Sequence, residues 1–185
     1  MFQTRHPNVE IRGEDREFHM VPGDDRVWIV EPRGAAMNAE YESLRAIGEH
    51  GGATVLAGAI EDATLGRESA RTYPMRWIDG AISSRSNRRE FLAALANTNP
   101  DQVRQSIEAF RRVADRIDVG DFQAVIDPAT GQIFANDPRD LREASPEGVM
   151  SRELDAWERA LGPPQPRVNA EAAVDDWGGW DPDWD

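Results

Sequence analysis

The chain has 185 residues, enough for one domain whose core stands without disulfides or metal. It holds 34 acidic and 21 basic residues, a formal net charge of −13, and every basic residue is arginine: there is no lysine and no cysteine. That excludes a disulfide scaffold, a thiolate zinc site, a cysteine nucleophile, a lysine Schiff base and a P-loop, and it argues against gripping a nucleic-acid phosphate backbone, which needs clustered positive charge.

In chain order, Arg16 to Val21 and Arg26 to Pro32 are β-prone runs. Between them Pro22-Gly23-Asp24-Asp25 is a turn cluster, which predicts a hairpin. Met37, Tyr41, Leu44 and Ile47 recur at helical spacing, and Gly51-Gly52 closes that helix. Thr54 to Ile60 and Thr72 to Ile78 read as two further strands joined by an acidic loop. From Ser83 the pattern turns helical. Asn87 and Glu90 have the spacing of a capping box, and Phe91, Leu92 and Leu95 supply an apolar stripe. Asn99-Pro100-Asp101 is a stronger start, with a capping side chain, a proline at the first helical position and an acid near the positive dipole end. Val103, Ile107, Phe110, Val113 and Ile117 follow at helical spacing. A last helix is expected from Ser145-Pro146-Glu147 to Leu161, with Met150, Leu154, Trp157 and Leu161 on one face and Gly162-Pro163-Pro164 as its stop.

Between the last two helices lies Asp121 to Pro138. Two β-prone runs flank Asp127-Pro128-Ala129-Thr130-Gly131, where proline suits the second turn position and glycine the left-handed residue that closes it. As a hairpin opened by Asp121 and closed by Asp137, the segment brings two carboxylates to one end, an arrangement suited to a general base beside a metal ligand. The plainer reading is that Asp121 caps a turn after Gly120, while Asp137-Pro138 ends a strand and caps the next helix.

Other chemistry has less support. His6, His19 and His50 are far apart and read as ordinary loop or surface histidines. No Gly-x-Ser-x-Gly elbow occurs. Ser83-Ser84-Arg85-Ser86 reads as a loop, while Arg88-Arg89 and Arg111-Arg112 read as solvated faces beside Glu90, Glu108 and Asp115. No apolar run approaches the roughly 18 residues of a membrane span, and the N-terminal residues lack the apolar region of a secretory signal. The expected location is cytoplasmic, or outside the cell through a dedicated export machine that needs no signal peptide.

Residues 163–185 hold three of the six tryptophans, four prolines, six acids and one arginine, which leaves −5 on this tail and −8 on the body. The segment reads as a disordered acidic tail. Its Trp177, Trp180 and Trp184 suit docking on a protein partner, or covering an apolar groove of the chain's own body. The expected fold is therefore a small α+β domain over residues 1–162, two-lobed with a boundary near 80–84, followed by that tail.

Strands, a helix bearing Glu40, two strands, two helices and an aspartate hairpin follow one another as in the protein-kinase-like fold. Gly120-Asp121-Phe122-Gln123 resembles the Gly-Asp-(Leu/Phe)-His motif of aminoglycoside-phosphotransferase-type kinases. The segment Asp121-Phe122-Gln123 … Gly131, Ile133 … Asp137-Pro138 is also similar to C-terminal toxin modules of bacterial polymorphic (Rhs-type) toxins. The kinase resemblance implies that Asp121 orients or deprotonates an attacking hydroxyl, that Asp137 holds Mg²⁺ on nucleotide phosphates, and that Gln123 and Glu40 support them.

The departures from that pattern are specific. Glu31 stands where the strand lysine is expected, and Arg33 is the nearest substitute, although a planar fork does not replace an ammonium conservatively. Ile126 stands where the catalytic-loop asparagine is expected, and no glycine-rich loop precedes the second strand. A pseudokinase or a kinase-like toxin or effector with altered chemistry accommodates these departures. The other reading is an acidic immunity or inhibitor protein occupying a basic partner surface, drawn from the net charge and the Trp/Asp tail.

Overall fold

Five strands of the first half form one antiparallel sheet: β1 (Val9–Ile11), β2 (Glu17–Met20), β3 (Arg26–Pro32), β4 (Glu61–Leu65) and β5 (Glu68–Arg76), in the order β1-β2-β3-β5-β4. Helix α1 (Ala35–Glu49) connects β3 to β4. The computed structural model describes residues 9–11, 17–20, 25–32, 35–65 and 67–163. Arg33, the turn residues Pro22 to Asp24, and the tail bearing Trp177, Trp180 and Trp184 lie outside the described residues. The expected pairing of β2 with β3 is present, with Phe18 opposite Ile29. The helical stripe of α1 is also as read: Tyr41, Leu44 and Ile47 are buried, and Gly51 leaves the helix at φ +88°.

Two assignments in this half are corrected. Thr54 to Ile60 is not a strand; it makes only isolated bridges, Thr54 to Ala135 and Leu56 to Met75. The segment runs between the halves and bonds to one on each side, since Val55 N–H donates to Ala135 O at 3.1 Å and Val55 O accepts from Arg76 N–H at 2.6 Å. The acidic stretch read as a loop is instead strand β4, with Ala63 opposite Ala70. As an edge strand it exposes Glu61 and Asp62 to water, so its charges mask the alternation.

The second half comprises β6 (Ile82–Ser83), α2 (Arg88–Asn97), α3 (Pro100–Ala114), β7 (Ile117–Asp121), β8 (Ala124–Ile126), β9 (Ile133–Ala135), β10 (Arg139–Glu143) and α4 (Val149–Leu161). The fold is mixed α+β, and a single apolar core runs from Ile29 and Tyr73 of the sheet through to Trp157 of α4. Trp157 is fully buried among Phe91, Phe110 and Phe122, with ring centroids 5.1, 6.4 and 5.6 Å away. Tilted and edge-on aromatic contacts of this kind add about 0.5–1.5 kcal/mol each beyond their area burial. No helix among the described residues is long and apolar enough to cross a membrane.

Helix starts divide according to chemistry. Asn99 caps α3 as expected, its Oδ1 accepting from Gln102 N–H at 3.2 Å with Pro100 behind it. Asn87 does not cap α2; its Nδ2 donates to Glu90 Oε2 instead. Helix α4 begins at Val149 rather than Ser145, because Ser145-Pro146-Glu147 forms a turn closed by Gly148 N–H to Ser145 O at 2.9 Å. The cap comes from elsewhere. Asp118 of β7 is buried and accepts from Val149 N–H at 3.0 Å and Met150 N–H at 2.9 Å. Gly148 permits this, since a Cβ there would stand 2.7 Å from the Asp118 carboxylate.

Arg111, which the sequence places on a solvated face beside Glu108 and Asp115, is paired elsewhere. It crosses to α4, donating through Nε and Nη2 to Glu158 at 3.1 and 2.8 Å and through Nη2 to Asp155. The Glu158 bonds raise its pKa above the ordinary value, partial burial opposes them, and Asp155 adds to the rise. Arg88 reaches Glu153 of the same helix at 2.8 Å.

Candidate functional site

The turn at Asp127 is as the sequence implies. Gly131 sits at φ +80° and donates its N–H to Asp127 O at 2.8 Å, while Asp127 Oδ1 accepts from Ala129 N–H at 2.9 Å. The strands it joins are short: β8 pairs with β9 from Ala124–Ala135 to Ile126–Ile133. Asp121 therefore does not open the hairpin. It ends β7, which pairs with β10, so that Asp121 faces Arg139. Between the two ladders Asn136 N–H donates to Gln123 O at 2.9 Å. The doubled chain thus passes from one ladder into the next, and Asp121 and Asp137 lie at that junction.

The junction has an unusual backbone. Asp137 (φ +50°) and Asp140 (φ +57°) are the non-glycine residues with positive φ among the described residues. Aspartate tolerates this region better than most residues, because its short side chain bonds locally.

The carboxylates there already face cations of the same chain. Asp121 Oδ2 accepts from Arg85 Nη1 at 2.6 Å and from Gln123 Nε2 at 2.9 Å. Asp137 Oδ1 accepts from Arg139 Nε at 3.3 Å and Nη2 at 3.2 Å. Gln123 is buried, and its amide fixes the Asp121 carboxylate. Glu40 is also buried, on α1, which packs against β10, the strand following Asp137. The four residues are thus carried by neighbouring elements. Glu31, at the lysine position of the kinase pattern, is buried in β3.

Each aspartate accepts from its arginine through one carboxylate oxygen. A divalent ion needs several oxygens free to converge on it. Among the described residues no group of three or more His, Asp or Glu side chains gathers to hold a metal ion.

A cleft of about 350 Å³ lies beside the junction. It is lined by Val55 and Val125, by Arg76 at the end of β5 with Trp77 and Ile78 after it, and by Asn136, the residue before Asp137. Trp77 is 48% exposed, and Arg76 lies over the Phe134 ring at 5.4 Å from its centroid. Sequence reasoning missed this cleft and the arginine partners. Arg139 was visible two residues beyond Asp137, but Arg85 precedes Asp121 by 36 residues and carries no pattern that announces the contact. No family model, curated protein or solved structure matches the chain.

Proposed function

We propose that the chain is an acidic binding protein of the immunity or inhibitor type, occupying a basic surface on another protein. The observation that carries this reading is the internal use of its cations. Arg45, Arg85, Arg88, Arg111, Arg139 and Arg142 all face carboxylates of the same chain, including both aspartates of the junction. In a chain whose acids exceed its arginines by 13, the charge left over faces outward. Asp25, Glu61, Asp79, Glu108 and Asp115 are among the exposed acids. A field of that sign steers association toward basic partners and rejects acidic ones.

The test uses the full chain as bait at low ionic strength, followed by affinity measurement on the purified partner. A basic partner is expected, with Kd below about 1 μM near 50 mM salt and at least tenfold weaker near 0.3 M, as screening of exposed charge requires. Retention of no partner, or a complex indifferent to salt, defeats the reading.

A kinase-like effector is the second reading, and the cleft favours it. Its volume falls within the range of small-molecule sites, and its lining includes Asn136, the residue before Asp137. This reading is of a pseudokinase that takes a nucleotide, or of an atypical phosphotransferase using Asp121 and Asp137. Thermal stabilisation by ATP alone, growing with concentration as mass action requires, supports it. No shift at millimolar ATP, with or without Mg²⁺, removes it.

A further inference from the structure

Strand β10 reads Arg139-Asp140-Leu141-Arg142-Glu143, and all five residues are exposed. Its strand partner among the described residues is β7 alone, with Leu141 opposite Val119, and α1 packs against β10 without burying any of the five residues. Leu141, at 47% exposure, is one of two large apolar side chains so exposed among the described residues. Edge strands normally carry charges that discourage further pairing. Here the order of the charges does the opposite for one partner. Turned antiparallel and centred on Leu141, the segment sets Arg139 against Glu143, Asp140 against Arg142 and Leu141 against itself, the two exposed arginines adding these partners to Asp137 and Asp140 of their own chain. Every cross-strand pair is then a salt pair or an apolar pair, and each of these stabilises antiparallel sheets where like charges would destabilise them.

We propose that β10 is a self-association edge, which a second copy of this chain fits through an isologous two-fold contact centred on Leu141. Symmetry requires the same patch on both copies, and this segment is complementary to itself. The charge of the whole molecule narrows the choice. Two copies at −13 repel, but the two arginines and two acids of β10 sum to zero, so local repulsion is least along this strip. The left-handed Asp140 bends the strand at one point, where it faces Gly120, whose missing Cβ leaves room for the Asp140 and Arg142 side chains. An interface built on one five-residue strand is small, so the dimer belongs to the weak, transient class.

Sedimentation velocity on the full chain, from about 5 to 500 μM, should show a mass rising toward the dimer, as a weak interface requires. Leu141→Arg should weaken association about tenfold or more, and so should Glu143→Arg and Arg139→Glu taken singly, since each single charge reversal places like charges opposite each other at both ends of the contact. Mixing the Glu143→Arg and Arg139→Glu proteins should restore association, because each end of the mixed dimer again joins opposite charges. Thermal melts confirm that each variant is folded, and Leu141→Arg carries the test if Arg139→Glu is not. A parent chain that stays monomeric throughout overturns the proposal. So does a dimer indifferent to Glu143→Arg and Leu141→Arg, or a mixture of folded single variants no more associated than either alone.

Discussion

Asp118→Ala removes the acceptor that serves two backbone N–H groups at the start of α4, Val149 at 3.0 Å and Met150 at 2.9 Å. Gly148, in the N-cap position, has no side chain to replace it. Loss of a helix cap costs about 0.5–2 kcal/mol. Leaving a buried donor without a partner adds about 1–3 kcal/mol, and Met150 is fully buried. The expected total is about 1.5–5 kcal/mol in urea denaturation at constant m, which for a chain of this size is a fall in Tm of about 3–20 °C. Gly148→Ala attacks the same contact from the other side, because the new Cβ would stand 2.7 Å from the Asp118 carboxylate. Overpacking of that kind costs about 1–3 kcal/mol. The two changes share one cause, so they should not add: once Asp118 is alanine, Gly148→Ala should cost less than about 0.5 kcal/mol, the error of an additive pair. Full additivity, or an Asp118→Ala chain within about 0.5 kcal/mol of the parent, as for an ordinary surface change, would refute the assignment of Asp118 as the cap.

Gly131→Ala should destabilise by about 1–2 kcal/mol in the same assay, because the residue sits at φ +80° with Asn99 O 3.0 Å from the position of the new Cβ. Trp157→Ala should cost about 3–5 kcal/mol and remove near-ultraviolet ellipticity, since three phenylalanine rings lose their common neighbour. Arg111→Ala should cost about 1 kcal/mol at low salt and less at high salt, because Asp155 and Glu158 then face each other without a cation while remaining half-exposed. The pH dependence of that pair has a definite sign. The folded pKa of Arg111 is raised, so its contribution is complete below the unfolded value and is lost only as pH climbs through the folded one. Urea midpoints of parent and Arg111→Ala should therefore keep a constant gap across neutral pH as far as the guanidinium is concerned.

The elements legible in the sequence were those whose cause is local. Asn99-Pro100 begins α3 because an amide and a fixed φ act within three residues, and the Asp127 turn closes on Gly131 for the same reason. Assignments failed where a distant residue decides the outcome. The start of α4 depends on a carboxylate 31 residues upstream, so the serine and proline that mimic a helix start could not reveal it. Thr54 to Ile60 has the composition of a strand, but its hydrogen bonds go to β9 on one side and β5 on the other, one residue at a time. The candidate site divides in the same way. Asp121 and Asp137 do meet at one end, as a hairpin predicts, yet through the β7–β10 ladder rather than the hairpin itself. Their arginine partners matter more to the chemistry than their proximity does. Arg85 in particular is placed by the β6–β8 pairing and by Ser84, whose Oγ accepts from Ala124 N–H at 2.9 Å.

Lysine's absence bears on the net charge as well as on catalysis. A guanidinium is a fixed fork that suits carboxylates, and Arg85, Arg88, Arg111 and Arg139 end against aspartates and glutamates of their own chain, while Arg104 and Arg152 donate to backbone carbonyls. Exposed pairs of this kind contribute at most about 1 kcal/mol each, so stability does not explain their number. Solubility does not explain the remaining charge either. A small domain stays dispersed with a net charge of about 2–8, and a larger excess strains the compact state by self-repulsion. The body's −8 lies at the upper edge of that range, and the −5 of residues 163–185 carries the whole chain beyond it. The surplus is accounted for if a basic surface neutralises it in a complex. On the same argument, a charge-balanced strip such as β10 is where two copies can approach each other without that surplus opposing them locally.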